Sequence, residues 1–192
     1  MKRTLLLSLL SILILGACSS SDTITFDDIH KEDNEAQFAK IAASAEYERM
    51  YSKSNGGFIM YKVLKEGEKS EDSVSPLFTD EVKVNYTGWY KQFWTKDDVF
   101  TDEKGKDFQN KYIFDTTVTN QETGTVVPRT FPVGGLVDGF TTALQYMHVG
   151  DKWEIWIPWA LGYGEYGQGN IRGHTTMVFE VELLEINPKK KK

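Results

Sequence analysis

The chain has 192 residues, 40% of them hydrophobic, with 22 basic against 28 acidic residues and a net charge of −6. That balance excludes a body that holds nucleic acid through a basic stripe. A single cysteine excludes an internal disulfide, and the length fits one or two domains.

The first eighteen residues read as an export signal rather than as fold material. Lys2 and Arg3 form a basic start, residues 5–15 a short apolar run, and Leu15-Gly16-Ala17-Cys18 closes it in small residues. The run is too short to span a bilayer comfortably. The closing tetrapeptide resembles a bacterial lipoprotein cleavage box, so residues 1–18 are expected to be a lipoprotein signal peptide. Cys18 is then the lipidated residue and the membrane a partner of that end; the alternative is an ordinary secretory signal with an incidental cysteine. Loss of Lys2 and Arg3 leaves 20 basic against 28 acidic residues, a charge of −8.

Residues 19–28 read as a flexible tether and residues 29–55 as an N-terminal helix. Asp27 or Asp28 is its candidate cap, Phe38, Ile41, Ala42 and Ala45 its apolar stripe, and Asn55-Gly56-Gly57 its end. Such a helix either packs on the domain that follows or pairs with a second copy to give a homodimer. Residues 58–64 read as a strand and 67–80 as a polar loop. Val82, Val84 and Tyr86 alternate on the next strand, which is expected to end at Thr87-Gly88. Residues 93–112 carry Phe93, Trp94, Phe100 and Phe108 among many charges, which predicts an ordered excursion packed through some of its aromatics.

Ile113-Phe114-Asp115 starts or ends another strand, residues 120–124 form a turn, and residues 125–129 a short strand. Phe131-Pro132-Val133-Gly134-Gly135 is a turn-rich entry to a short helix, on which Phe140, Ala143, Leu144 and Met147 recur at helical spacing. Trp153, Ile155 and Ile157 share one face of a strand that Pro158 stops. A Gly- and Tyr-rich loop around Tyr163 follows, and Met177, Phe179, Val181 and Leu183 alternate on the last strand. By periodicity alone Tyr86, Phe114, Phe140 and Phe179 are core candidates and Trp153 is core; Trp156 and Trp159 are either core or part of an exposed binding face. His30, His148 and His174 match no ligand spacing, and the acids at 97, 98 and 102 lack the spacing and glycine of a calcium loop. The glycine clusters lack the strand-to-helix context of a dinucleotide site. No metal and no cofactor are expected. Residues 188–192 form a basic tail that is solvated, with anionic lipid as its alternative ligand.

These pieces, in this order, resemble the FKBP-type peptidyl-prolyl cis/trans isomerases over residues 57–187, and the whole chain resembles a Gram-negative lipoprotein member. The family's Val-x-Val-x-Tyr-x-Gly is matched by residues 82–88 and its Phe-Asp pair by Phe114-Asp115. Its Gly, helix, Met, Gly and Pro series is matched by Gly139, Ala143-Leu144, Met147, Gly150 and Pro158, its Tyr-Gly loop by Tyr163-Gly164, and its closing strand by residues 179–183. The resemblance implies an α+β fold in which an antiparallel β-sheet half-wraps around one short α-helix, preceded here by the N-terminal helix. It implies an apolar dish that takes the proline ring of a polypeptide. Tyr86, Phe114, Asp115, Phe140, Tyr163 and Phe179 fall on its catalytic positions, and Val137, Arg129 and Ile171 on substrate-binding ones. Phe140 stands where the family often has Trp. Arg129 stands where an apolar aromatic often closes one edge, and it either pairs with Asp115 or stacks on a ring. Residues 171–173, Ile-Arg-Gly, make one rim more polar, and about residues 91–111 are an insertion. The implied activity is prolyl isomerisation of cell-envelope or exported proteins by a protein lipid-anchored in the outer membrane and facing the periplasm, with the cell surface as the alternative; the other reading is a non-catalytic peptide-binding or chaperone module.

Overall fold

A computed structural model of the chain describes residues 25–68 and 73–187. The signal peptide with Cys18, most of the tether and the basic tail lie outside the described residues. The first helix, α1 (Phe26–Ala42), starts at a capping box in which the Thr25 hydroxyl accepts from the Asp28 N–H and the Asp28 carboxylate accepts from the Thr25 N–H. Thr25 is therefore the cap expected at Asp27 or Asp28, and the helix begins inside the expected tether.

The helix also ends sooner than expected. Residues 48–51 leave it to form an edge strand, β1 (Glu48–Tyr51), which pairs with β2 (Phe58–Lys65). Asn55-Gly56-Gly57 makes the turn of that hairpin rather than a helix end, with Asn55 at φ 62° and Gly57 at φ 139°. Pairing opposite Ile59 sends Met50 into the core, a gain that continued helix would forgo.

The remaining elements are β3 (Glu81–Lys91), the hairpin β4 (Val99–Thr101) and β5 (Asp107–Gln109), β6 (Lys111–Thr116), the hairpin β7 (Val118–Asn120) and β8 (Thr125–Val126), β9 (Arg129–Pro132), α2 (Asp138–Leu144), β10 (Lys152–Ile157) and β11 (Met177–Asn187). The main sheet runs β1-β2-β10-β11-β3-β6, with β9 also on β3, and every pairing is antiparallel. Period-two alternation sends Val82, Val84 and Tyr86 of β3, Ile155 and Ile157 of β10, and Phe179, Val181 and Leu183 of β11 to one face. There they bury Phe140, Ala143 and Leu144 of α2. Ser52 and Ser54, in the β1–β2 turn, both donate to the Asp138 carboxylate and so hold the start of α2. This is the expected α+β architecture, an antiparallel sheet wrapped around a short helix behind an N-terminal helix.

The opposite face of the sheet is also covered. Met60, Trp156 and Val178 point there, and Ile41, Phe38 and Ala42 of α1 pack on them. The apolar stripe of α1 thus lies on its own domain, while Ala45 falls beyond the helix. A buried polar joint locks the contact. Asn34 is fully buried; its Oδ1 accepts from Trp94 Nε1 at 2.9 Å and from the Thr176 N–H at 2.8 Å, and its Nδ2 donates to the His30 carbonyl at 2.8 Å. Trp94 belongs to the excursion and packs on Trp89 and Trp156 with ring centroids 5.9 and 5.3 Å away. Phe93, Phe100 and Phe108 instead cluster with one another. Asn110, also fully buried, closes the excursion by accepting from the Phe93 N–H and donating to the Phe93 and Asp97 carbonyls.

Candidate active site

On the α2 side of the sheet is a cavity of about 400 Å³. β3 supplies Tyr86, β6 Phe114 and Asp115, β9 Phe131, α2 Phe140, β11 Phe179, and the long loop after β10 Tyr163. Phe140 is only 4% exposed and forms the floor, meeting Phe179 edge-on at 5.0 Å and Tyr86 at 6.1 Å. Phe114 meets Phe179 edge-on at 5.4 Å. These are the perpendicular ring contacts that aromatic quadrupoles favour, and they hold the walls in one shape.

Two local features of β3 and β6 make room for the walls. Gly88 sits within β3, which runs on to Lys91 rather than stopping at Gly88 as expected. A Cβ there would come within 2.5 Å of the Phe179 ring and 2.7 Å of the Phe114 ring, so the glycine is where two rings close on the backbone. The β3–β6 register also slips by one residue, with Gly88 opposite Asp115 but Trp89 opposite Ile113. The bulge leaves Phe114 unpaired and lets Phe114 and Asp115, neighbours in sequence, both reach the cavity.

The polar edge is a closed triad. Arg129 Nη1 donates to Asp115 Oδ1 at 2.8 Å and to the Tyr86 hydroxyl at 3.0 Å, and that hydroxyl donates to Asp115 Oδ2 at 2.5 Å. Arg129 also lies over the Tyr86 ring at 5.9 Å, so it both pairs and stacks. Burial first, then the bond to the Asp115 carboxylate, raises the Tyr86 hydroxyl far above its ordinary pKa. Tyr163 differs. Its hydroxyl has no hydrogen-bond partner among the described residues, and burial followed by the Asp115 charge holds its proton on. It is an uncommitted donor at the cavity wall.

Of the residues singled out from sequence, Tyr86, Phe114, Asp115, Phe140, Tyr163, Phe179 and Val137 line the cavity. Arg129 stands at its edge through Asp115 and Tyr86, and its side chain is 48% exposed. Ile171 lines instead an adjoining trough of about 430 Å³, which shares Phe114, Asp115, Tyr163 and Gln168 with the cavity. Phe131, Leu136 and Gln168 also line the cavity and were missed. Phe131 lies two residues past Arg129 on a four-residue strand, so strict alternation from Arg129 would have found it; Gln168, in an irregular loop, has no such signal. Trp156 is buried under α1, and Trp159 Nε1 donates to Glu35 of α1 at 3.1 Å, so both serve the helix contact. A larger groove of about 570 Å³ beside α1, lined by Phe38, Phe58 and Trp159, shares no residue with the cavity.

Comparison with known proteins agrees with this geometry. Residues 73–184 match the family model described as FKBP-type peptidyl-prolyl cis-trans isomerase. The chain is 37% identical over 129 residues to an FKBP-type 22 kDa peptidyl-prolyl cis-trans isomerase of Escherichia coli strain K12, covering 67% of this chain and 50% of that one. It is 35% identical over 146 residues to the isomerase FkpA of Aeromonas hydrophila, covering 76% and 44%. The chain thus spans about half the length of these curated relatives. Among solved structures, FkpA from Escherichia coli superposes with a TM-score of 0.56 at 28% identity, over 85% of this chain and 64% of that one. A Pseudomonas syringae peptidyl-prolyl isomerase shares the fold with a TM-score of 0.60 at 24% identity, over 86% and 99%. With the match over residues 73–184, the chain belongs to the FKBP-type peptidyl-prolyl cis-trans isomerase family.

Proposed function

We propose that the protein catalyses cis/trans isomerisation of X–Pro bonds in polypeptides. The observation that carries this reading is an aromatic cavity, closed below by Phe140 and Phe179, with one free hydroxyl, Tyr163, at its wall. Rotation about X–Pro must break amide resonance over a barrier of about 18–20 kcal/mol. Seated among Tyr86, Phe140 and Phe179, a proline ring leaves water behind, and an apolar surrounding favours the less dipolar twisted amide. Binding that twisted form better than either planar form is the whole requirement. Tyr163 donates to a substrate carbonyl beside the proline, and the Asp115–Arg129–Tyr86 triad holds the wall without exchanging protons.

We further propose that Cys18 carries lipid and that the substrates are cell-envelope or exported proteins, a reading supported by the Leu15-to-Cys18 box. Replacement of Cys18 by Ser then releases the protein from the membrane fraction, and unchanged partitioning would refute the anchor. The second reading, a binding or chaperone module without turnover, is favoured by the engagement of Asp115 with Arg129. A protease-free fluorescence assay on the full chain in detergent separates the two. Acceleration of cis-to-trans conversion for a peptide with an apolar residue before proline supports the isomerase. Binding at the uncatalysed rate supports the module.

A further inference from the structure

Tyr163 reaches the cavity from a stretch that no sheet ladder fixes. Residues 158–176 join β10 to β11, and their regular structure is one 3-10 turn at residues 159–161 and an isolated bridge between Gln168 and Ile171. Within this loop the Gly164 N–H donates to the Trp159 carbonyl at 2.8 Å, and the His174 N–H donates to the Gly164 carbonyl at 2.9 Å. The Trp159 and His174 rings meet edge-on at 4.7 Å, and Gly173 has no room for a Cβ against the Glu165 carbonyl. The limb of residues 172–176 therefore lies directly on the limb that carries Tyr163, and a shift of one moves the other.

Both limbs are gripped by α1. Asp27, His30 and Asn34 recur at i, i+3 and i+7 and so share one face of the helix, with Glu35 beside it. Trp159 Nε1 donates to the Glu35 carboxylate at 3.1 Å. The Arg172 guanidinium donates to the Asp27 carboxylate and lies over the Phe26 ring at 4.4 Å. His30 Nε2 is 3.1 Å from the Thr175 hydroxyl. Asn34 Oδ1 accepts from the Thr176 N–H at 2.8 Å, and the Asn34 carbonyl accepts from the Thr176 hydroxyl at 3.2 Å. The first half of α1 thus holds the loop, while the second half, through Phe38, Ile41 and Ala42, holds the sheet. One rigid helix sets where Tyr163 stands relative to the Tyr86, Phe114 and Phe179 rings that the sheet supplies.

We infer that α1 is a positioning element for the active site, whose Asp27, His30, Asn34 and Glu35 clamp the loop after β10 and so set the Tyr163 hydroxyl at the cavity wall. The inference rests on the isomerase reading for the reaction it assists, whereas the clamp itself belongs to the free protein. No residue of α1 lines the cavity, so each acts through the loop. A loosened clamp leaves the aromatic floor in place and moves the donor, which costs the hydrogen bond that Tyr163 offers to the substrate carbonyl.

The test replaces the two exposed carboxylates of the clamp in the full chain, Asp27→Ala together with Glu35→Ala, with urea unfolding to confirm the fold. For a peptide with an apolar residue before proline, kcat/KM falls about two- to tenfold, the worth of one hydrogen bond. The pair Asp27→Glu with Glu35→Gln, which keeps both acceptors, retains the rate. In a Tyr163→Phe background the alanine pair causes no further fall, because the hydroxyl it positions is gone; a contribution to stability alone lowers the rate equally in both backgrounds. In an active chain, an unchanged rate in the alanine pair, or the same fall with and without the Tyr163 hydroxyl, overturns the inference. The ring resonances of Tyr163 in the free protein keep this result apart from that of the isomerase reading. Resonances that shift in the alanine pair of a chain without turnover uphold the clamp while refuting catalysis, and unshifted resonances refute the clamp whatever the rate.

Discussion

Substituting Asn34 by Leu tests whether α1 is an integral part of the domain. The side chain is fully buried, and its Oδ1 is the acceptor for Trp94 Nε1 and the Thr176 N–H. Leucine has nearly the same volume but accepts nothing, so both donors lose their partner in a dry joint. Each orphaned buried donor costs about 1–3 kcal/mol, so the pair costs about 2–6 kcal/mol, a large part of the stability of an ordinary domain. The two donors belong to the excursion and to the approach to β11, so the loss falls on the contact between α1 and the sheet. Urea unfolding gives the magnitude, and amide hydrogen exchange gives the place. The amides of α1 lose protection in an opening that leaves β3, β10 and β11 protected. A loss below about 0.5 kcal/mol with α1 still protected would refute the reasoning and leave the apolar stripe and the other α1 hydrogen bonds to hold the helix.

Phe140→Ala removes the buried cavity floor and lowers stability by about 3–5 kcal/mol in urea unfolding; a loss under 1 kcal/mol would mean that the neighbouring rings collapse into the space. Arg129 has donors beyond the Nη1 that binds Asp115 and Tyr86, so a glutamate before the substrate proline gains at most about fivefold in kcat/KM over glutamine, and Arg129→Gln abolishes that ratio. Equal ratios in the two proteins would place Arg129 out of reach. His30 is buried against Thr175, with Asp27, Asp33, Arg172 and His174 around it, and burial, followed by the Arg172 charge, holds its pKa below the ordinary 6.5. The unfolded chain takes up the proton near that ordinary value while the folded one resists. Stability is therefore full above about pH 6.5 and falls on acidification until folded His30 is itself protonated. His30→Gln flattens this window in urea titrations at successive pH values, and an unchanged slope would assign it to other groups.

What the sequence made legible was the face of the sheet that holds α2. Val82, Val84 and Tyr86, and again Phe179, Val181 and Leu183, alternate cleanly because their other sides meet polar surroundings or solvent. The opposite face was harder to read. Met60, Trp156 and Val178 are buried where α1 returns over them, a contact that for Trp156 and Val178 joins segments more than a hundred residues apart. The helix end at Ala42 was missed for a related reason: residues 43–53 suit helix or strand, and pairing with β2 decides it. Tyr86, Phe114, Asp115, Phe140, Tyr163 and Phe179 were placed in one site by the order of motifs. The bulge that turns both Phe114 and Asp115 inward, and the trough that draws Ile171 away from the cavity, depend on cross-strand register, which no local pattern records.

The claim that the cavity catalyses by enclosing a twisted amide, with no proton exchanged, is tested most directly by kcat/KM against pH. Exchange NMR on a peptide without ionisable side chains supplies the rates. Tyr86 and Tyr163 are both held above the ordinary tyrosine value of 10.0, by burial first and by Asp115 after it. The profile is therefore expected to be flat, well above the uncatalysed rate, from about pH 7 to about pH 9. A bell-shaped profile within that range would assign the step to an acid–base pair, and a rate at the uncatalysed value throughout would leave the cavity a binding site alone.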